Sequence, residues 1–239
     1  MGKIKETKRN KAIAAITQKG KIFGLREAVQ VLKKAPVAKF DQSVEIQVKL
    51  GVDPAASDQA VRGTAVLPHG QGKKLRIIVF TKDESGKAAK EAGADEVGGD
   101  ELVTKVLGGW MDFDVAIATP SMMKEVGKLG KVLGPRGLMP SPKAGTVTDN
   151  PAKAVNEVKA GRIEFKMDKF ANINMLIGKL SFAEDKLVDN GNVLIESLIK
   201  ARPKSLKGAY LKSAHLSCTM GPGIKLDLTK YLKEKETEE

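Results

Sequence analysis

Apolar positions recur at helical spacing through the first part of the chain. Residues 6–19 place Ala12, Ile13, Ala15 and Ile16 on one side of a basic segment, which predicts a helix. A stronger helix is predicted over 25–35. There Leu25, Ala28, Val29 and Leu32 follow the i, i+3, i+4, i+7 rule, and Pro36 stops the run. The period then changes to two. Ser43 to Leu50 alternates polar and apolar side chains, the mark of a strand with one wet face. Residues 51–60 read as a loop and 61–67 as a second strand. Pro68-His69-Gly70-Gln71-Gly72 is turn chemistry and a natural boundary.

The texture differs beyond that turn. Leu75 to Phe80 is a largely apolar strand of the kind buried on both faces of a parallel sheet, and 115–118 is a second. Helices are predicted over 85–92, ended by Gly93, and over 101–107. Thr119-Pro120 offers an N-cap and a first-turn proline for a helix through about Leu129. Asn150-Pro151 repeats the signal for a helix ending at Gly161. Strands alternating with helices predict a parallel α/β unit. The first texture then returns. Residues 162–168 and 172–179 alternate and predict a hairpin, and Ser181-Phe182-Ala183-Glu184 has the form of a capping box. The helix after it carries Leu187, Val188, Gly191, Leu194, Ile195, Leu198 and Ile199 on one face. Strands over 210–219 and 224–228 precede a solvated tail. The expected fold is therefore a discontinuous α+β domain, an antiparallel sheet with packed helices, from residues 1–67 and 160–239. An α/β domain over 68–159 is inserted in it, and the two crossings form a natural hinge.

Composition sharpens this picture. Aromatics make up only 4% of the 239 residues, so the cores must be aliphatic. The net charge is +12, which favours polyanionic partners. It is unevenly spread: +7 over residues 1–67, +2 over 68–159 and +3 over 160–239, the last lowered by Glu234, Glu236, Glu238 and Glu239. Cys218 is the only cysteine, which excludes an intrachain disulfide and fits a reducing compartment. With only His69 and His215, no zinc spacing exists, and neither metal nor cofactor is expected. The start lacks an apolar signal core, Glu6 stands where a myristoylation motif wants Ser or Thr, and no stretch has membrane-spanning length. The expectation is a cytoplasmic protein with no membrane partner and no obligate homo-oligomer.

Enzymatic signatures are missing. No Gly-x-Gly-x-x-Gly follows a strand, and Gly72-Lys73 and Gly127-Lys128 lack the following Ser or Thr of a phosphate loop. No nucleophile–base pair is evident. The carboxylate pairs Asp112/Asp114 and Glu184/Asp185 read as solvated charges, and Trp110 and Phe113 as core. A nucleotide-using enzyme built on the α/β insert is the rival reading, and the missing glycine pattern counts against it. The densest motif is Gly127 to Thr148. It carries Lys128, Lys131, Arg136 and Lys143, has no acid, and holds the glycines and prolines that let a backbone turn tightly against a partner. On the residues alone, a surface loop shaped by its own packing is an equal reading.

That segment closely resembles the signature of the large-subunit ribosomal protein L-one (uL-one) family in its bacterial form. So do Lys39-Phe40-Asp41, Lys49-Leu50-Gly51-Val52-Asp53-Pro54, Val61-Arg62-Gly63-Thr64, Leu67-Pro68-His69-Gly70, Gly109-Trp110-Met111-Asp112-Phe113-Asp114, Ala160-Gly161-Arg162-Ile163-Glu164-Phe165 and Thr219-Met220-Gly221-Pro222. The likeness runs in order through nearly the whole chain. It implies two domains, the inserted one Rossmann-like with three α/β layers. It implies a non-enzymatic ribosomal protein whose first domain grips the ribosomal RNA of a mobile stalk. The second domain would then face transfer RNA at the exit site, with Lys128, Lys131, Arg136 and Lys143 as its candidate surface. Binding of its own messenger RNA as a translational repressor is implied as well. The positions matching the family's RNA contacts are Lys39, Phe40, Ser43, Glu45, Asp168, Lys169, Ser213, Thr219, Met220 and Gly221. Ser43 stands where Thr is commoner, and Phe170-Ala171 where a Thr-Gly pair is familiar.

These residue types suit structured RNA, which is read through shape, 2′-hydroxyls and phosphates. Short hydroxyls and backbone amides can approach a ribose. Phe40 and Met220 can exclude water around such bonds, and Glu45 and Asp168 can orient lysines or accept from 2′-hydroxyls. On the residues alone, Phe40 and Met220 read better as core, and Glu45 as a solvated strand residue.

Overall fold

The computed structural model describes residues 7–17, 20–36, 38–82, 85–206 and 208–233. In chain order these form α1 (Lys8–Ile16), α2 (Leu25–Lys34), β1 (Ser43–Leu50), β2 (Arg62–Val66), β3 (Ile77–Phe80), α3 (Ser85–Glu91), β4 (Glu96–Gly98), α4 (Asp100–Leu107) and β5 (Val115–Ala118). They continue with α5 (Met123–Val126), α6 (Gly130–Leu133), α7 (Pro151–Lys159), β6 (Arg162–Lys166), β7 (Asn172–Lys179), α8 (Glu184–Lys200), β8 (Leu211–Cys218), β9 (Ile224–Leu226) and α9 (Thr229–Lys233). The fold is mixed, with an antiparallel sheet and helices. Two compact units emerge, one of residues 1–72 with 164–239 and one of 73–163.

The first unit is organised by β1, the middle of an antiparallel sheet in the order β7-β1-β8-β9. Strict alternation in β1 buries Val44, Ile46, Val48 and Leu50 and leaves Ser43, Glu45, Gln47 and Lys49 on the other face. Helices α2 and α8 cover the buried face. Gly191 lets them close up: a Cβ there would lie 2.9 Å from a Leu25 methyl and 3.4 Å from one of Ile46. Burying the four side chains of β1 contributes on the order of 1.5–3 kcal/mol each, so a one-residue slip of register would be heavily penalised. Asn190 of α8 is fully buried. Its amide donates to Ile177 O at 2.7 Å and Gly70 O at 3.0 Å, and its oxygen accepts from His69 N at 3.1 Å. That anchorage holds residues 68–72 to the first unit.

In the second unit β3 is central in a parallel sheet of order β4-β3-β5. All four residues of β3 are buried, and they face two cores alternately. Ile78 and Phe80 join Ala116, Val106, Met122 and Leu129, while Ile77 and Val79 join Ile117, Ala89, Val155 and Val158. Helices therefore lie on both faces. Asn150 caps α7 by accepting from Lys153 N at 3.2 Å.

Several expectations need correction. The strands at 162–166 and 172–179 are not a hairpin: β6 pairs with β2 and β7 with β1, so only the turn between them survives. The capping box is absent. Ala183 is the N-cap, and Ser181 instead donates its hydroxyl to Asp41 Oδ2 at 2.8 Å. Thr119 makes no capping bond, because its hydroxyl is shared with Phe80 O and Ser121. The helix it precedes runs on to Leu133 as alternating α and 3-10 turns. Strand β4 is unanticipated, being three half-buried residues without alternation. Asp114 is less solvated than expected, held by Lys73 and by Arg76 N. Tyr231 is no part of a solvated tail: it is buried in α9 and donates to Asn192 Oδ1 at 2.5 Å. Ile199 is only half-buried. The basic start over 1–6, the end of the first predicted helix at 18–19 and the acidic tail over 234–239 lie outside the described residues.

Candidate RNA interface

The start of β1 meets the end of β8. Ser43 N donates to Thr219 Oγ1 and Thr219 N to Ser43 O, both at 3.1 Å. Lys179 of β7 brings its ammonium to Ser43 Oγ at 2.9 Å. Phe40 and Met220 lie in the turns beside this pair, and each is 52% exposed, so neither is core. The Met220 turn is fastened from below by Gln42, whose side-chain oxygen accepts from Met220 N at 2.9 Å while its own carbonyl accepts from Leu180 N at 2.8 Å. Gly221 completes the turn by necessity, since a Cβ there would lie 2.1 Å from Cys218 Sγ. Burial pushes the Cys218 thiol up, against backbone hydrogen bonds and the Arg9 charge, which lower it. Arg9 of α1 donates to Met220 O at 2.8 Å. Lys39 is exposed, and with Phe40 and Lys33 it borders a depression of about 520 Å³.

The other end of β1 carries the remaining residues. Lys49 pairs with Ser213 of β8 and Asn172 of β7, and its ammonium donates to Phe170 O. Asp168 braces its own turn. Its carboxylate accepts from Phe170 N at 2.8 Å, Asn172 N at 2.7 Å and Asn172 Nδ2 at 3.1 Å. The backbone hydrogen bond from Asn172, aided by that from Phe170 and opposed by slight burial, holds it below the usual carboxylate range. Lys169 is exposed beside it. Glu45 sits mid-strand between Ser217 and Leu176 and forms no ion pair among the described residues. Nine of the ten positions thus fall into two clusters about 20 Å apart along β1, with Glu45 between them. Gln47 bridges to Ser217 on the same face at 2.9 Å. Near β8 and β9 this face is bordered by the segment that follows α1, where Thr17 and Lys21 share a depression with His215 and Lys225.

Lys128, Lys131, Arg136 and Lys143 are all exposed in the second unit. Lys128 is tied to Glu125, just upstream of the acid-free segment, whereas the other three enter no ion pair among the described residues. The sequence reading missed Gln42, Lys179 and Arg9. Gln42 had a signal: it is a polar residue at the inward phase of the β1 alternation. Arg9 and Lys179 had none beyond charge. No group of three or more His, Cys, Asp or Glu side chains among the described residues is placed for a metal ion. No helix among them is long and apolar enough to cross a membrane.

Hydroxyls, amides and lysines on a sheet face, with apolar side chains at its margin, are the equipment of a protein that binds RNA. The family model of the Ribosomal protein L1p/L10e family matches residues 32–222, and the chain belongs to that family. A relative, the large ribosomal subunit protein uL1 of Protochlamydia amoebophila (strain UWE25), is 56% identical over 222 residues, covering 93% of this chain and 94% of its own length. Membership makes this a ribosomal, RNA-binding protein of translation and not an enzyme, and its place is the ribosome in the cytoplasm.

Proposed function

We propose that this protein is a constituent of the large ribosomal subunit whose first unit clamps the ribosomal RNA of the mobile stalk. In this reading the first unit is a discontinuous RNA-binding domain and the second an inserted Rossmann-like domain of three α/β layers. The observation that carries it is the Ser43–Thr219 pair flanked by half-exposed Phe40 and Met220. Polar groups set between exposed apolar side chains become dry when RNA covers them, and each hydrogen bond to a ribose then counts for more. Lys39, Glu45, Gly221 and Lys179 frame that contact. Asp168, Lys169 and Ser213 form a second contact one strand-length away. Two separated contacts on a rigid strand read RNA shape rather than base sequence.

The second unit faces transfer RNA at the exit site, through Lys128, Lys131, Arg136 and Lys143. The same first-unit surface binds a similar RNA shape in the protein's own messenger and represses its translation. The deciding experiment compares a stalk ribosomal RNA fragment with an unrelated duplex of equal length across a salt series. Tight binding to the stalk fragment alone, persisting as salt rises, is expected. Equal binding to both with a steep salt slope would reduce the interface to the +12 charge. The messenger leader, added as competitor, should displace the stalk fragment.

A further inference from the structure

We propose that Phe170 is a base-stacking residue, presented by the turn between β6 and β7 to an unpaired base of the bound RNA. The proposal deepens the reading above and rests on the first unit being the RNA-binding body.

Phe170 is 74% exposed, against 49–52% for the other exposed large hydrophobics among the described residues. It therefore adds little to the core. Yet its backbone is braced on every side. Its N–H goes to Asp168 Oδ1, and its carbonyl accepts from the Lys49 ammonium. The next residue, Ala171, is buried, and its carbonyl accepts from Leu50 N at 2.8 Å. Ala171 also adopts φ 58°, the only positive φ at a non-glycine among the described residues. Residues with a side chain rarely adopt that region, because the Cβ crowds the following carbonyl oxygen. The brace thus holds a strained turn whose product is an aromatic ring in solvent.

The surroundings decide what the ring receives. Lys166 and Lys169 are exposed on either side, and the Lys49 ammonium lies at the Phe170 carbonyl. Asp168, Lys169 and Asn172 make the frame polar, so no wide apolar patch exists for a protein partner. A single ring in a cationic frame fits one nucleobase, with its phosphates drawn to the lysines. Stacking on an aromatic side chain contributes about 1–3 kcal/mol per base and tolerates any base. Phe170 also lies beside Asp168 and Lys169, so the stacked base would border the second contact on β1.

The test uses the full chain with Phe170→Ala, Phe170→Leu and Phe170→Trp, bound to a stalk ribosomal RNA fragment across a salt series. The fragment carries 2-aminopurine at its unpaired adenines in turn. Phe170→Ala should weaken binding roughly five- to hundredfold at every salt concentration. The salt slope should stay unchanged, because no charge is removed. Phe170→Trp should retain affinity, and Phe170→Leu should not. Emission of one 2-aminopurine should be quenched by the parent protein and not by Phe170→Ala. Urea midpoints should match the parent, as the ring is exposed. Parental affinity for Phe170→Ala, or for Phe170→Leu, overturns the stacking role and leaves the stalk reading intact. Failure of the parent itself to select the stalk fragment overturns the stalk reading, and this one with it.

Discussion

Thr219 shows how one hydroxyl serves two ends. It accepts from Ser43 N at 3.1 Å, so the oxygen is fixed, and the residue itself is exposed, so the group also faces outward. Substituting Thr219→Val keeps the shape and removes both functions. Binding to the stalk fragment should weaken by about 1–3 kcal/mol, the cost of a covered polar partner left unsatisfied. Thr219→Ser keeps the hydroxyl and should bind within a few-fold of the parent. Calorimetric titration of the three proteins checks this, and parental affinity for Thr219→Val would remove the hydroxyl from the interface. Ser43 and Gly221 are constrained differently: Ser43 by the Lys179 ammonium on its oxygen, and Gly221 by the Cys218 sulfur where a Cβ would stand.

Elements place these residues, and the elements were unequally legible. Strand β1 was readable to the residue because burial on one face imposes a strict period. Helix α2 was equally plain. The partnering of β6 and β7 was not, because alternation marks a strand without saying which strand it meets, and the nearest alternating neighbour proved wrong. Strand β4 was invisible since its side chains are all half-buried. Of the interface, motif resemblance supplied the positions, while the exposure of Phe40 and Met220 and the fastening role of Gln42 needed coordinates. Asn190 was also hidden, as a polar residue on the buried face of α8. Asn190→Leu would leave His69 N and the carbonyls of Gly70 and Ile177 without their partner. A loss of about 3–9 kcal/mol in urea unfolding is expected, the three stranded groups costing about 1–3 kcal/mol each; a loss below 1 kcal/mol would mean that water replaces the amide. The turn holding Asp168 gives a pH signature. Its carboxyl is lowered in the folded protein, so its stabilisation is full above the unfolded value of about 3.9 and is lost as pH falls through the folded one. Urea midpoints of the parent should exceed those of Asp168→Ala at pH 7, with the gap closing below about pH 4. A gap that persists into acid would assign the turn to other contacts.

At the scale of the whole molecule, each unit has the parts to stand alone. The two apolar clusters around β3 draw only on residues between 75 and 158, and the sheet around β1 is covered on its buried face by α2 and α8 of its own unit. All ten candidate RNA contacts fall in the first unit, while the four basic-loop residues fall in the second. This division predicts separability. Replacing residues 73–163 by a flexible Gly-Ser linker should leave a protein that unfolds cooperatively. A long linker should be tolerated, since loop-closure entropy rises only slowly with length. That protein should bind the stalk fragment within about tenfold of the full chain and lose contact with transfer RNA. The excised 73–163 segment should fold without the rest and show no preference for the stalk fragment. Circular dichroism melts and binding titrations of both pieces are the measurements. If the first-unit protein folds and yet loses stalk binding by a hundredfold or more, the interface cannot be confined to the surface around β1, and residues of the second unit must touch the same RNA.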